Sequence, residues 1–153
     1  MEFKGSEIIH AGQGKVFDFL TDPLNFSNGI PDIQDVKVLG PGRFQVVAKL
    51  GISMIKTSFT INFDVSETVP SSHVKLRGHG LGSNSAIDLE ITVDLKGGAK
   101  ETVLEWSSVA TVSGMLASLG QRVLGGVADK LVKEVFGNLH KALESQGPER
   151  VTG

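Results

Sequence analysis

"TVSGMLASLGQRVLGGVADKL", residues 111–131, is where the chain changes its rhythm. Just upstream, Leu104, Trp106, Ala110 and Val112 share one face, opposite Val103, Glu105, Ser107 and Val109. Downstream, Leu116, Leu119, Val123, Val127, Leu131, Val135, Leu139 and Leu143 step by threes and fours, and Leu124, Val132 and Phe136 widen the stripe. A period of two belongs to a half-buried strand and a period near 3.6 to an amphipathic helix. A sheet therefore ends inside this stretch, and one helix of roughly 28 residues, about 42 Å long, takes over. Gly147 and Pro148 in "SQGPERVTG" (145–153) end it, leaving a short flexible tail over 147–153.

The two-residue period recurs upstream. Phe44, Val46, Ala48 and Leu50 alternate with polar or exposed neighbours, as do Phe59, Ile61, Phe63 and Val65, and Ile87, Leu89, Ile91, Val93 and Leu95. One dry face and one wet face is the antiparallel signature. "GPG" (40–42), "VPSS" (69–72), "GSNS" (82–85) and "KGGAK" (96–100) separate strand-like runs by hairpin lengths. No βαβ rhythm is present, which excludes a doubly wound nucleotide fold. Residues 2–10 read as a strand, "GKVFDFLTDP" (14–23) as a short helix and "LNFSNGIPD" (24–32) as a second helical turn. The pattern predicts an α+β domain over 1–146. Its curved antiparallel sheet of six to seven strands grips one long C-terminal helix, with two short helices between the first and second strands.

Composition narrows the function. With 153 residues, 40% apolar and 21% charged, the chain can bury a core unaided. A net charge of -2, with no basic run interleaved with aromatics, excludes general nucleic-acid binding. The absence of cysteine removes disulfides, thiol catalysis and cysteine-ligated metal, and suits a reducing cytosol. "MEFKGSEIIHAG" lacks a basic segment followed by a long apolar run, so no signal peptide is expected, and no apolar run reaches the length of roughly 18 residues that a membrane span needs. A soluble, cytoplasmic protein is expected.

No catalytic constellation emerges. His10, His73, His79 and His140 lack the helical spacing of a zinc protease. Asp88, Glu90 and Asp94 lie every second residue on the wet side of a strand. "GHGLGS" (78–83) lacks the lysine and the following helix of a phosphate loop, and no serine sits in a nucleophile elbow. Glu7 alternates with Phe3, Gly5 and Ile9: it is either a carboxylate in a dry pocket or is turned outward by a bulge. Neither cofactor nor metal is expected.

The glycines raise a separate question. Gly120, Gly125 and Gly126 fall within the predicted helix, where each costs about 1 kcal/mol relative to alanine. Either the helix backbone drops close to the sheet, or a void remains beneath it. Gly78, Gly80 and Gly82 on one strand fit the void, which Leu, Ile and Phe would line as a site for an apolar guest.

"AGQGKVFDFLTDPLNFSNGIPD" (11–32) resembles the corresponding segment of the START-type helix-grip (SRPBCC) superfamily. Together with "TVSGMLASLGQRVLGGVADKL" and "GHGLGS", it is similar to the carbon monoxide dehydrogenase G-subunit family, over roughly residues 2–140. One departure is Asp32, where the family usually has glycine after isoleucine–proline. The resemblance implies a non-enzymatic protein that holds a hydrophobic small molecule, lipid or quinone-like, in a cavity bounded by sheet, long helix and the two short helices. It also implies service to a molybdenum hydroxylase complex, with at most peripheral contact at the inner face of the membrane. The lining expected is Phe44, Phe59, Ile61, Leu76, Ile87, Leu89, Leu104, Trp106, Leu124 and Phe136. Two alternatives stand beside it: a cyclase-like enzyme in the same cavity, for which Glu7, Arg77 and His79 are the polar candidates, and a protein–protein adaptor with a filled core.

Overall fold

The computed structural model describes residues 1–52 and 54–144; the tail expected at 147–153 lies outside them. Strand β1 (Glu2–Ile9) leads into helices α1 (Gln13–Thr21) and α2 (Pro23–Asn28). Six strands follow: β2 (Ile33–Gly40), β3 (Arg43–Ile52), β4 (Ile55–Val69), β5 (His73–Gly82), β6 (Ser85–Gly97) and β7 (Thr102–Gly114). A 3₁₀ turn (Met115–Leu119) then connects to α3 (Gly120–Glu144). The sheet order is β1-β7-β6-β5-β4-β3-β2, and every neighbouring pair is antiparallel. This is the helix-grip architecture.

Local chemistry explains the joints. The Asp22 carboxylate accepts the Leu24 and Asn25 N–H groups at 2.9 and 3.3 Å, and Pro23 takes the first helical position, so "TDP" ends α1 and starts α2 at once. The β5–β6 hairpin turns through Ser83 and Asn84, whose φ angles of 48° and 52° match the twist of the flanking strands. Asp32 stands at φ 55°, a left-handed conformation that favours glycine.

The expected 28-residue helix is shorter and interrupted. Gly114 and Gly120 both sit in the left-handed region, at φ 84° and 85°, and bracket the 3₁₀ turn. Gly120 is thus the left-handed joint that starts α3, not a helix-interior residue. Apolar packing forms three separate clusters. One joins Ile9, Val16, Leu20, Leu95 and Leu104 to Leu139 and Leu143 at the end of α3. A second holds Phe44, Val46, Phe63, Val74 and Leu76 beneath α2. The third joins Ile52 and Phe59 to Leu116 and Leu124 at the start of α3. The α3 backbone approaches the sheet at β1 and at β3. Both ends of the helix are sealed, since Leu124, Leu139 and Leu143 are buried.

Candidate functional site: the concave face

Between the sealed ends of α3, inward-facing apolar side chains keep part of their surface accessible. Ile61 on β4, Ile87, Leu89 and Ile91 on β6, Trp106 and Val112 on β7, and Val127, Leu131, Val135 and Phe136 on α3 are all only partly buried. On a packed sheet–helix interface these central positions would be the driest. Trp106 and Phe136 meet across this band with ring centroids 5.7 Å apart.

The expected lining divides into two groups. Ile61, Ile87, Leu89, Trp106 and Phe136 belong to the partly open band. Phe44, Phe59, Leu76 and Leu104 are at most 1% exposed and are packed into the three clusters; Leu124, 9% exposed, closes one end. The structure therefore brings the first five to one surface and holds the others behind it as support.

The glycines act differently from the expectation. A Cβ on Gly78 would lie 3.0 Å from Phe63 Cε1, on Gly80 3.2 Å from Ile61 Cγ1, and on Gly82 2.7 Å from Phe59 Cδ1. The β5 stripe is thus covered by side chains leaning over from β4 and leaves no void there. On α3, by contrast, a Cβ at Gly125 or Gly126 meets nothing within 4 Å, so neither marks a close approach of the helix to another element. At 100° per residue Gly126 faces outward, opposite Leu124 and Leu131, and is exposed; Gly125 lies on the flank of the inner face. A third use occurs at Gly5, where a Cβ would sit 2.8 Å from Trp106 Nε1, so its bare backbone gives the indole its seat.

Glu7 faces inward with no bulge, because the β1–β7 register runs unbroken from Glu2↔Val109 to Ile9↔Thr102. It does not stand in a dry pocket: its Oε1 lies 2.9 Å from His140 Nε2, with the two side chains 34% and 30% exposed. His140 Nδ1 lies 3.1 Å from Glu144 Oε2, which also accepts the His10 N–H at 2.8 Å. The hydrogen bond to Glu7, reinforced by Glu144, raises the His140 pKa above its ordinary value despite partial burial. The His10 N–H, then His140, holds the Glu144 carboxyl below its ordinary value. Sequence reasoning missed this cluster, because nothing local links residues 133 positions apart.

Arg77 and His79 are not interior. Both lie on the opposite, wet face, Arg77 ion-paired to Glu90 at 3.5 Å and His79 hydrogen-bonded to Asp88 at 2.6 Å. They border an open groove of about 550 Å³ with Asn62, Asp64 and Thr111. Asp64, Arg77, Asp88 and Glu90 crowd its rim, and it lies on the side of the sheet away from α3, so it is not the cavity that the sequence predicts. Among the described residues no helix is long and apolar enough to cross a membrane.

Comparison with known proteins bears on this geometry. The CoxG family, described as the G-subunit of carbon monoxide dehydrogenase, matches residues 5–144. No curated protein matches the chain. A conserved protein from Geobacillus kaustophilus superposes with a TM-score of 0.87 at 27% identity, covering 95% of this chain and 96% of that one. A START superfamily protein from Mycobacterium smegmatis gives 0.74 at 12% identity, covering 95% and 99%. The Zhui aromatase/cyclase from Streptomyces sp. R1128 gives 0.58 at 15% identity, covering 96% and 98%. The last two share the fold alone.

Proposed function

Because the chain belongs to the CoxG family, we propose that it binds an apolar guest, a lipid or quinone-like molecule, between its concave face and α3. It does so without catalysis, in support of a carbon monoxide dehydrogenase-type molybdenum hydroxylase. The observation that carries this reading is the partly open apolar band of Ile61, Ile87, Leu89, Trp106 and Phe136, set between the sealed ends of α3. Each methylene buried there contributes about 0.8 kcal/mol. Ten would give about 8 kcal/mol gross, the micromolar range before ordering costs. The ionisable groups nearest the band, Glu7, His140 and Glu144, are bound to one another, which favours a holder over a catalyst. Such a carrier works in the cytoplasm and meets the membrane only peripherally.

Mass spectrometry of an organic-solvent extract of the purified protein tests this. A stoichiometric apolar molecule is the expected result. An empty extract, together with failure to bind N-phenyl-1-naphthylamine, would leave the adaptor reading instead. Turnover of an added polyketide-type chain would favour the cyclase.

A further inference from the structure

The concave wall carries two hydrogen-bonding groups that the protein leaves unused. Along β7 the inward positions are Leu104, Trp106, Ser108, Ala110 and Val112; along β6 they are Ile87, Leu89, Ile91, Val93 and Leu95. Ser108 is the one hydroxyl in those rows, with Ile91 opposite it on β6 and Phe3 opposite it on β1. Trp106, two residues away on the same face, carries the one indole N–H of the chain. Neither Trp106 Nε1 nor Ser108 Oγ has a hydrogen-bond partner among the described residues, although the neighbouring Glu7, His140 and Thr102 all find theirs. Both atoms keep access to solvent within the partly open band, so a polar head entering it can reach them in place of water.

We infer that Trp106 Nε1 and Ser108 Oγ anchor the polar head of the guest, and that this head is an uncharged, carbonyl-type acceptor. The inference rests on the carrier reading and specifies its ligand. The two residues stand roughly 6.6 Å apart along the strand, on one face, which suits an oxygen acceptor bonded to either. An anionic head is disfavoured: Trp106 and Ser108 are neutral donors, and Glu7, two residues from Gly5 on the same face of β1, puts a carboxylate beside the seat of the indole. The tail then follows the rungs Leu89↔Ala110 and Ile87↔Val112 for about 13 Å toward the start of α3.

The test uses the full chain and three probes of equal length, undecane, 2-undecanone and undecanoate, each displacing N-phenyl-1-naphthylamine. Ser108→Ala and Trp106→Phe are each expected to weaken 2-undecanone by roughly threefold to tenfold. Undecane should lose less than the ketone in each variant, and Ser108→Thr, which keeps the hydroxyl, should retain ketone affinity. In the parent protein the ketone should shift the emission of Trp106, the sole tryptophan. Equal losses for ketone and alkane would mean that the two residues only pack, and would overturn the inference. So would undecanoate binding more tightly than the ketone, or ketone binding that ignores both substitutions. In those cases undecane still binds and the carrier reading survives; failure of all three probes overturns both.

Discussion

The glycines of β5 and those of α3 look alike in sequence and have opposite surroundings. On β5 the missing side chains are replaced by Phe59, Ile61 and Phe63 from the next strand, so Gly78 and Gly80 are buried without side chains of their own. On α3 nothing replaces them: Gly125 and Gly126 have no neighbour within 4 Å of where a Cβ would stand. A glycine stripe therefore records that something was left off, and only the neighbours reveal whether the room was filled. The partly open band starts at Ile61 on β4, at the edge of the covered stripe, and runs across β6 and β7 to the middle of α3.

The largest effect should come from refilling the covered stripe. Gly82→Ala places a methyl 2.7 Å from both Phe59 Cδ1 and the Ser58 carbonyl oxygen, and is expected to cost about 1–3 kcal/mol in urea unfolding. In a Phe59→Leu background the same change should cost less, because one of its two obstacles has gone. If Gly82→Ala is harmless in both backgrounds, β4 does not cover β5 as described.

Next in size is the tie between the end of α3 and β1. His140→Gln should cost about 1 kcal/mol at pH 6, a value held down by the partial exposure of the pair. His140 is more basic in the fold than its ordinary value of 6.5. Its contribution is therefore complete below that pH and fades as pH rises through the raised folded value. Glu144 is shifted down, so its contribution is present above the ordinary 4.5 and is lost as pH falls through its lower folded value. The stability gap between parent and His140→Gln, followed by denaturation at pH 6 and pH 9, should narrow at the higher pH. A constant gap would show that the histidine acts by packing alone.

The uncovered glycines should respond in the opposite direction to Gly82. Gly126→Ala adds helix propensity and meets only open space, so a gain of up to about 1 kcal/mol is expected, with probe affinity unchanged. A loss of stability would mean that α3 sits closer to its surroundings than its geometry indicates. The smallest effect belongs to Asp32→Gly, which relieves the left-handed backbone at φ 55° and should raise the melting temperature by the equivalent of about 0.5 kcal/mol.

Much of the fold is legible in the sequence because its signals are local. The alternation through Phe44–Leu50, Phe59–Val65 and Ile87–Leu95 names the dry faces correctly, and the turns at 40–42, 69–72, 82–85 and 96–100 fall between the strands they are expected to join. The start of the long helix is not legible, because Leu116 and Leu119 keep the apolar spacing through a 3₁₀ turn, and hydrophobic period does not register the left-handed Gly120 that follows them. The band is legible only in part. Alternation puts Ile61, Ile87, Leu89 and Trp106 on the correct face, but it does not separate them from Phe44, Phe59, Leu76 and Leu104, which share that face and are packed away.

By itself, then, the sequence determined which apolar residues of the strands face inward, where four of the hairpins turn, and that a single helix follows the sheet, since each of these follows from the spacing of side chains along one backbone. Tertiary structure decided which inward residues stay open, that β4 leans over β5, that Trp106 rests on Gly5, and that Glu7 meets His140. Those outcomes depend on distances through space between distant segments, and no periodicity along the chain encodes them.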